Sequence, residues 1–333
     1  MYNSKIIGTG HFVPENIVTN DDLSKIMDTN DAWIQERTGI KERRHVKEGD
    51  GNTNSEMAYK ASKIAIEKAG LAVDDIDFIV YATISGDLFF PGSSALLQDK
   101  LGCKRNIAAL EVRNACSGFI YALSVGDSFI KTGMYKNVLV IGAEIHSTAL
   151  DMTTRGRDVS VLFGDGAGAV VLTQTTEDRG ILSTHLHAEG KHAMDLVVKA
   201  PSSQKWVPEF IANKEDLDYF PIMNGREVFK HAVTRFPEVI MEGLEANNMT
   251  NTDIDLFIPH QANLRISQFV GKKLGLSEEK VFNNIQKYGN TTAATLPIAL
   301  DEALEEGRIK EGDIVVLAAF GAGFTWGSVI IKW

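Results

Sequence analysis

Cys116, His260 and Asn290 have side chains of types that can act together in covalent catalysis. A cysteine thiolate is a nucleophile, and imidazole and amide groups can donate hydrogen bonds to a developing oxyanion. Cys116 lies in "EVRNACSGFIYAL", His260 in "DLFIPHQAN" and Asn290 in "KYGNTTAAT". Each residue also has a structural interpretation, because free cysteines are often buried in cores and Asn beside Gly often forms turns. The elements around the three residues must decide between these interpretations.

All three residues are predicted to lie at the ends of strands. Cys116 stands between the strand "NIAALEV" and the helix "SGFIYALSVGDSFI". At a helix N-terminus, the dipole and the free N–H groups favour a thiolate over a thiol. His260 follows the apolar run "DLFIP", and Asn290, next to Gly289, occupies a second strand-to-helix turn. Open α/β sheets place their sites beyond such strand ends, so the positions favour function.

The chain contains a long internal repeat. The stretch "DDIDFIVYAT" at Asp74 resembles "TDIDLFIPHQ" at Thr252, 178 residues later, and "NIAALEV" aligns with "NIQKYGN" at the same offset. Apolar strands alternate with helices in both copies, which predicts an α/β protein of two related halves, 1–178 and 179–333. A pseudo-twofold axis between the halves would bring the equivalent strand ends together. The stretch 199–228 is predicted to be an irregular insertion, acting as a lid or facing a second subunit.

Composition excludes several classes of protein. The 333 residues carry a net charge of −10, so nucleic acid is a poor candidate partner. Two cysteines form neither a disulfide framework nor a zinc quartet, and they suit a reducing compartment. The apolar run 314–331 is interrupted by glycines and predicts two buried strands rather than a membrane span. Together with the absence of a signal-peptide pattern, this predicts a cytoplasmic protein without a membrane span.

Two further patterns are predicted to be incidental. "HLH", with His185 and His187 on one strand face, has no evident third ligand, so we predict no metal site. "GDGAGA" resembles a dinucleotide-binding motif, but a strand rather than a helix follows it.

Five stretches distributed over almost the whole chain resemble a known family. They are "NACSGF", "FGDGAGAVVL", "PHQANLRI", "YGNTTAAT" and "FGAGFTWGS". They are similar to 3-oxoacyl-acyl-carrier-protein synthase III, a member of the thiolase-like condensing-enzyme superfamily. The resemblance implies an α/β fold with duplicated βαβ-type halves in five α-β-α-β-α layers. It also implies a homodimer that uses coenzyme A thioesters as substrates and requires no separate cofactor.

The implied reaction begins fatty-acid synthesis. An acyl group passes from acyl-CoA to Cys116, and a decarboxylative Claisen condensation with malonyl-acyl carrier protein gives 3-oxoacyl-acyl carrier protein. His260 and Asn290 serve the condensation, and the backbone N–H groups of Cys116 and Ala322 stabilise the oxyanion on the acyl-cysteine. Residues for other contacts follow from the resemblance: Trp33, Arg37, Arg157, Gly225 and Asn263 for coenzyme A, Phe90 for the acyl tunnel across a dimer, and Arg265, Lys272 and Lys273 for docking of the carrier protein.

Two alternatives remain open at this point. One is a related condensing enzyme of secondary metabolism, which joins other acyl thioesters in quinolone, polyketide or head-to-head hydrocarbon synthesis. It is kept because "RNACSGF" departs from the small-residue "AAACAGF" of many primary-metabolism members. The other is a non-catalytic acyl-binding protein, which the complete Cys-His-Asn set disfavours.

Overall fold

The computed structural model describes residues 2–204, 207–213 and 217–333. Its strands are β1 (Asn3–Phe12), β2 (Ile17–Thr19), β3 (Glu42–Arg44), β4 (Phe78–Ala82), β5 (Ala108–Val112), β6 (Asn137–Glu144), β7 (Gly166–Thr175), β8 (Gly180–Ala188), β9 (Leu196–Val197), β10 (Ile222–Met223), β11 (Leu256–Pro259), β12 (Ile314–Gly321) and β13 (Thr325–Lys332). Its α-helices are α1 (Asn20–Ser24), α2 (Asp31–Thr38), α3 (Asn54–Lys68), α4 (Ser93–Lys100), α5 (Gly118–Lys131), α6 (Arg157–Ser160), α7 (Val207–Ala212), α8 (Gly225–Ala246), α9 (Leu264–Lys273), α10 (Ile285–Tyr288) and α11 (Thr295–Glu305).

Two mixed sheets form the frame of the molecule. The first has the order β1-β7-β6-β4-β5, and the second has the order β11-β12-β13-β8. Strand β4 runs parallel to β5 and β6, and β11 runs parallel to β12, whereas the remaining neighbours in both sheets are antiparallel. The central strands β6 and β12 are buried along their whole length, as expected of strands covered on both faces.

The helices and the two sheets make five layers. Helix α3 packs on β1, β6 and β7, α5 and α11 lie between the two sheets, and α8 packs on β8, β12 and β13 beside α9. The central layer is apolar, with Phe119 and Leu123 of α5 packed among residues of α11 and both sheets. Glycines Gly8 and Gly10 of β1 let α3 approach closely, because a Cβ at Gly10 would lie 2.6 Å from the Ala61 carbonyl oxygen. The predicted five-layered α/β fold is therefore confirmed.

The two halves repeat each other in detail. Strands β4, β6, β7 and β1 of the first sheet occupy the places of β11, β12, β13 and β8 in the second. In the first half, β5 pairs with β4 in parallel. At the corresponding place beside β11, the second half has only a single parallel bridge, between Phe257 and Val281. Each central helix follows a short 3₁₀ turn with a left-handed non-glycine residue, Ala115 (φ 45°) before α5 and Thr292 (φ 51°) before α11. These turns are 177 residues apart, so Ala293, rather than Asn290, is the counterpart of Cys116.

The proposed boundary at 178/179 falls in the short connection between two strands. Strand β7 ends at Thr175, and strand β8 begins at Gly180. The prediction of two strands in 314–331 is correct, because β12 and β13 pair there as an antiparallel hairpin. Within the described residues, no helix is long and apolar enough to cross a membrane.

The predicted insertion, 199–228, is only partly described, because 205–206 and 214–216 lie outside the described residues. Its described part includes α7, β10 and the start of α8, and β10 pairs with β9. Ala200, Pro201, Tyr219, Phe220 and Pro221 line the large cavity described below. The insertion thus borders this cavity, and its role as a lid or a subunit contact stays a prediction.

Candidate active site

Cys116 lies at the junction of the two halves. It follows β5 in the turn Ala115–Ser117 and immediately precedes α5, and only 6% of its surface is exposed. The end of β12, from the second half, packs directly on it. A Cβ at Gly321 would lie 2.9 Å from Cys116 Sγ and closer still to Cys116 Cβ, so only glycine fits there without displacing the cysteine.

The thiol of Cys116 is protonated at rest, in contrast to the thiolate expected from the sequence. Burial raises the pKa of Cys116 to about 12, and the nearby Glu144 carboxylate acts in the same direction. Backbone N–H groups of Ala322 and Cys116 lower this pKa, but by less. The predicted helix N-terminus is present, yet desolvation of the charged form outweighs it. The nucleophile must therefore lose its proton as it attacks.

Glu144 is a buried carboxyl group that the sequence analysis missed. It ends β6, is fully buried, and accepts hydrogen bonds from Ser85 Oγ (2.5 Å) and the Ile84 N–H (3.1 Å). Burial raises the pKa of Glu144 to about 8, although these hydrogen bonds oppose the shift. The carboxyl is mostly protonated at pH 7, so burial is the main reason why Cys116 stays a thiol. The sequence feature that could have indicated this group is the single acidic residue at the end of the apolar run "NVLVIGAE".

His260 is a neutral imidazole with one ring nitrogen unused. Its main-chain N–H donates to the Ala318 carbonyl (2.8 Å), which ties the end of β11 to β12. Burial lowers the pKa of His260 to about 3. Nδ1 lies 2.6 Å from Thr295 Oγ1, whereas Nε2 is buried without a hydrogen-bond partner among the described residues. Burying a polar atom without a partner is unfavourable, so Nε2 is ready for a substrate group.

Thr295 was not singled out by the sequence analysis, although it governs the tautomer of His260. Thr295 Oγ1 lies 2.9 Å from the Thr292 carbonyl oxygen and 2.6 Å from His260 Nδ1. If the hydroxyl donates to Thr292, it accepts from Nδ1–H and leaves a lone pair on Nε2. If the hydroxyl instead donates to Nδ1, Nε2 carries the hydrogen. Each direction of this hydroxyl therefore matches one tautomer of the ring: Nε2 accepts in the first and donates in the second.

Asn290 does not follow a strand, in contrast to the prediction, because the preceding residues Ile285–Tyr288 form α10; the main chain nevertheless holds it rigidly. Its N–H donates to the Leu162 carbonyl (2.8 Å), and its carbonyl accepts from the Gly164 N–H (3.1 Å). The side-chain Oδ1 accepts from the Thr292 N–H (2.8 Å), which fixes the amide orientation and directs Nδ2 away from that bond. Gly289 has φ 63°, and a Cβ there would lie 2.7 Å from the Leu162 carbonyl oxygen. The turn thus presents one fixed amide N–H₂ group.

A cavity of about 1480 Å³ gives access to Cys116. Ala322 and Thr292 line it beside Cys116, whereas His260 and Asn290 do not line it and are almost completely buried. The wall also includes apolar residues from both halves: Ile84, Phe89, Ile145, Leu150, Leu196, Val197 and Val198. The volume is large enough for an acyl chain together with part of a thioester carrier.

Three of the predicted coenzyme A residues come together. The Arg37 and Arg157 guanidinium groups lie over the Trp33 ring, with their central carbons 4.6 Å and 5.2 Å from its centroid. Arg157 also donates to the Asp28 carbonyl and forms an ion pair with its carboxylate (3.4 Å). This cation–aromatic group can hold a base and its phosphates. It does not line the Cys116 cavity.

Asn263 and Gly225 are less specific than the resemblance implies. Asn263 caps α9, its Oδ1 accepting from the Arg265 N–H (2.9 Å) and its Nδ2 donating to the Arg37 carbonyl (2.9 Å). It therefore joins α9 to the end of α2, close to the predicted coenzyme A group. Gly225 begins α8, and a Cβ there would meet only Met223 Cε at 3.7 Å, so no steric reason requires glycine.

Phe90 does not line the cavity of its own chain. It is 81% exposed and lies beside Phe89, which is 76% exposed and does line the cavity. Two adjacent exposed aromatic rings are unusual on a free surface.

The three predicted docking residues share the outer side of α9. Arg265, Lys272 and Lys273 are exposed, and none forms an ion pair with a carboxylate in the described part of the chain. The spacing of Ile266, Phe269 and Val270 in the sequence predicts an apolar face on the other side of the helix, and Ile266 and Val270 are buried there. Phe269 is instead 46% exposed, because the helix face that contacts α8 is narrower than the apolar pattern suggested.

Comparisons with known proteins decide the family. Two models match: the C-terminal part of 3-oxoacyl-acyl-carrier-protein synthase III over residues 244–333, and 3-oxoacyl-acyl-carrier-protein synthase III over residues 110–190. A beta-ketoacyl-acyl-carrier-protein synthase III of Thiobacillus denitrificans is 46% identical over 334 residues, covering 100% of both chains. The chain belongs to the 3-oxoacyl-acyl-carrier-protein synthase III family.

Solved structures of the synthase III family share the fold. The 3-oxoacyl-acyl-carrier-protein synthase III of Aquifex aeolicus is 45% identical, with a TM-score of 0.91 over 99% of this chain and 100% of that chain. The synthase III of Thermus thermophilus is 38% identical, with a TM-score of 0.91 over 99% of each chain. The chain is thus a condensing acyltransferase of fatty-acid synthesis, and the alternative in secondary metabolism is not favoured.

Gly321→Ala tests the contact between the two halves at the synthase III nucleophile. Overpacking of this kind costs about 1–3 kcal/mol, so we expect acylation of Cys116 to slow at least about fivefold. Mass spectrometry of the acylated protein after rapid quenching measures this rate. Gly190→Ala is the matched control, because a Cβ at Gly190 has no neighbour within 4 Å. An acylation rate within twofold of wild type would show that Cys116 tolerates displacement.

The protonation state of Cys116 can be read from its alkylation by iodoacetamide. Because burial raises its pKa to about 12, the reactive thiolate fraction should grow about tenfold for each pH unit between pH 6 and 9. We expect no plateau in this range, as measured in a Cys103→Ala background that removes the other thiol. A plateau below pH 8 would mean that the helix N-terminus outweighs burial.

Proposed function

We propose that the chain transfers an acyl group from acyl-CoA to Cys116 and condenses it with malonyl-acyl carrier protein. In the first half-reaction, Sγ attacks the thioester carbonyl of acyl-CoA. The backbone N–H groups of Cys116 and Ala322 donate to the oxyanion that forms. The oxyanion then collapses, the C–S bond to coenzyme A breaks, and the thiol proton leaves with the coenzyme A thiolate.

The proton of Cys116 needs an acceptor during this attack, since the resting group is a thiol. We assign this role to Nε2 of neutral His260. With the Thr295 hydroxyl donating to the Thr292 carbonyl, Nε2 carries the lone pair that can accept the proton.

The condensation uses the other tautomer of the same imidazole, so between the half-reactions Nδ1 releases a proton to solvent and Nε2 takes one up. The Thr295 hydroxyl then donates to Nδ1, and Nε2–H is the donor. Malonyl thioester loses its carboxylate as carbon dioxide, and the electron pair of the broken C–C bond forms a thioester enolate. His260 Nε2–H and Asn290 Nδ2–H donate to the enolate oxygen. The enolate carbon attacks the acyl-cysteine carbonyl, and the 3-oxoacyl product forms as the bond to Sγ breaks. These neutral donors suit this step, because they can stabilise the negative charge on the enolate oxygen without first changing their own protonation state.

One observation carries the proposal: the end of β12 packs directly on Cys116, where a Cβ at Gly321 would lie 2.9 Å from Sγ, and the N–H of the next residue, Ala322, lowers the pKa of Cys116. This packing supports a role for the Ala322 N–H as a donor to the carbonyl oxygen of an acyl-cysteine. The reactants are coenzyme A thioesters, with the nucleotide held by Trp33, Arg37 and Arg157, and the proposed cycle uses no separate cofactor.

We further propose that the chain acts as a cytoplasmic homodimer. The exposed Phe89 and Phe90 form an apolar projection next to the cavity, and the described residues of the chain leave it uncovered. Burial of both rings by a second copy would stabilise the dimer and would place Phe90 near the acyl site of the partner.

Acylation by a panel of acyl-CoA thioesters tests the function. Incubation with acetyl-CoA, branched short-chain acyl-CoA or long-chain acyl-CoA should add one acyl group per chain, detected by intact-protein mass spectrometry. Added malonyl-acyl carrier protein should discharge that group as 3-oxoacyl product. Cys116→Ala should abolish the mass increase, whereas Cys103→Ala should retain it. Acylation that persists in Cys116→Ala would refute the mechanism.

Charge reversal on α9 tests carrier-protein docking. Acyl carrier proteins are acidic, so Arg265→Glu together with Lys272→Glu should raise the KM for malonyl-acyl carrier protein at least about fivefold. The KM for malonyl-CoA should be unchanged, because it lacks the protein surface. Lys63→Glu, on the distant helix α3, is the matched control. An equal loss with both malonyl substrates would place α9 in substrate binding rather than docking.

A further inference from the structure

A group of histidine and carboxylate side chains lies behind the turn that carries Ala322. Glu189 follows β8, His192 belongs to the 3₁₀ turn Gly190–Asp195, and His231 lies on α8. One ligand atom from each of these residues lies within 4.8 Å of the other two. We propose that Glu189, His192 and His231 form a binding site for a divalent transition-metal ion such as Zn²⁺, separate from the catalytic residues.

His192 is oriented as metal-binding histidines are. Its Nδ1 lies 2.8 Å from Asp195 Oδ2, and Asn224 Nδ2 donates to Asp195 Oδ1 (3.0 Å) while the Asn224 N–H donates to the Asp195 carbonyl (2.7 Å). A carboxylate on one ring nitrogen fixes the tautomer and leaves the other nitrogen as a ligand. That other nitrogen, His192 Nε2, is buried and has no hydrogen-bond partner among the described residues.

The other two ligands come from separate elements. The rings of His192 and His231 have centroids 4.2 Å apart, which brings α8 to the turn after β8. Glu189 forms ion pairs with Lys191 (2.5 Å) and Arg235 (3.3 Å). Lys191 is 67% exposed and can move into solvent when an ion takes its place. In a tetrahedral zinc site, ligand atoms lie about 3.4 Å apart, so modest side-chain rotation completes the site.

Two comparable groups elsewhere in the described residues lack these properties. His11, Asp301 and Glu305 also converge, but Lys68 Nζ bridges both carboxylates (2.8 Å and 2.9 Å) and is 39% exposed, whereas Lys191 at Glu189 is 67% exposed and pairs with one carboxylate of the site. Both His185 and His187 contact Glu242 (3.2 Å and 2.6 Å), so the "HLH" pair does have a third side chain. Their three ligand atoms do not converge within 4.8 Å in the described part of the chain.

The proposed site is coupled to the catalytic turn through Phe324. The Phe324 ring stacks on His192, with centroids 4.9 Å apart and an angle of 12° between the planes. Main-chain hydrogen bonds join Glu189 and Phe324 in both directions (2.8 Å and 3.0 Å). Phe324 follows Ala322 by two residues, so an ion that fixes Glu189 and His192 also fixes the loop that presents the Ala322 N–H to Cys116.

Metal titration of the untagged protein tests the site without using its activity. Metal-stripped Cys116→Ala protein excludes the catalytic thiol as a ligand. We expect one Co²⁺ per chain with the visible d–d absorption of four-coordinate cobalt, and displacement of the Co²⁺ by Zn²⁺. Zinc should also raise the Tm, because a ligand that binds only the folded state stabilises it.

Variants assign the ligands. His192→Gln and His231→Gln should abolish the cobalt spectrum, and Asp195→Asn should weaken binding about 10–100-fold, as expected when a carboxylate behind a ligand histidine is lost. His187→Gln, in the non-converging group, should bind as wild type does. Binding that survives His192→Gln and His231→Gln, or that is lost equally in His187→Gln, would refute the site.

Anomalous diffraction from zinc-soaked wild-type crystals gives the answer if a variant fails to fold. A peak bounded by Glu189, His192 and His231 is expected. A peak elsewhere, or none at these residues, would overturn the proposal whatever the catalytic activity of the protein.

Discussion

The close approach of β12 to Cys116 is the contact on which the active site depends. The proposed nucleophile belongs to the first half of the chain, whereas the proposed oxyanion donor, Ala322, and both other catalytic candidates belong to the second. Gly321 has no side chain, so the main chain of β12 lies directly against Cys116. The five-layered packing holds this contact, because α5 and α11 are enclosed between two sheets and neither half can shift alone.

Burial gives the site its electrostatic character. Cys116 and His260 are both shielded from water, and burial moves their pKa values so that each is neutral at physiological pH. Both groups are therefore uncharged in the resting state. Charge appears only as the reaction proceeds, where main-chain and amide N–H groups of fixed orientation are ready to receive it. Rigid main-chain bonds at Asn290 and at the end of β11 keep these donors in place without substrate.

Much of the fold and the identities of the catalytic candidates could be predicted from the sequence, because the fold follows from the repeat and the candidates follow from their side-chain types and the family resemblance. Equivalent Asp-Ile-Asp turns and apolar strands predicted two related halves, and strand ends predicted where Cys116 and His260 would lie. The protonation state of Cys116 could not be predicted, because it depends on how deeply the β12 main chain covers the thiol. Glu144 and Thr295 were missed for the same reason, since their partners come from distant positions. Helical periodicity placed Phe269 on the apolar face of α9. Its exposure could not be predicted, because the neighbouring helix α8 determines which residues of that face are buried.

The raised pKa of Cys116 also bears on how readily peroxides oxidise its thiol. Peroxides oxidise the thiolate rather than the thiol, so susceptibility follows the ionised fraction. With a pKa of about 12, on the order of one Cys116 in 10⁵ is ionised at pH 7. Sulfenic acid formation is correspondingly slow while no substrate is bound. Desolvation therefore has two effects on Cys116. It makes the attack of the thiol depend on a proton acceptor, and it protects the thiol from oxidation between turnovers.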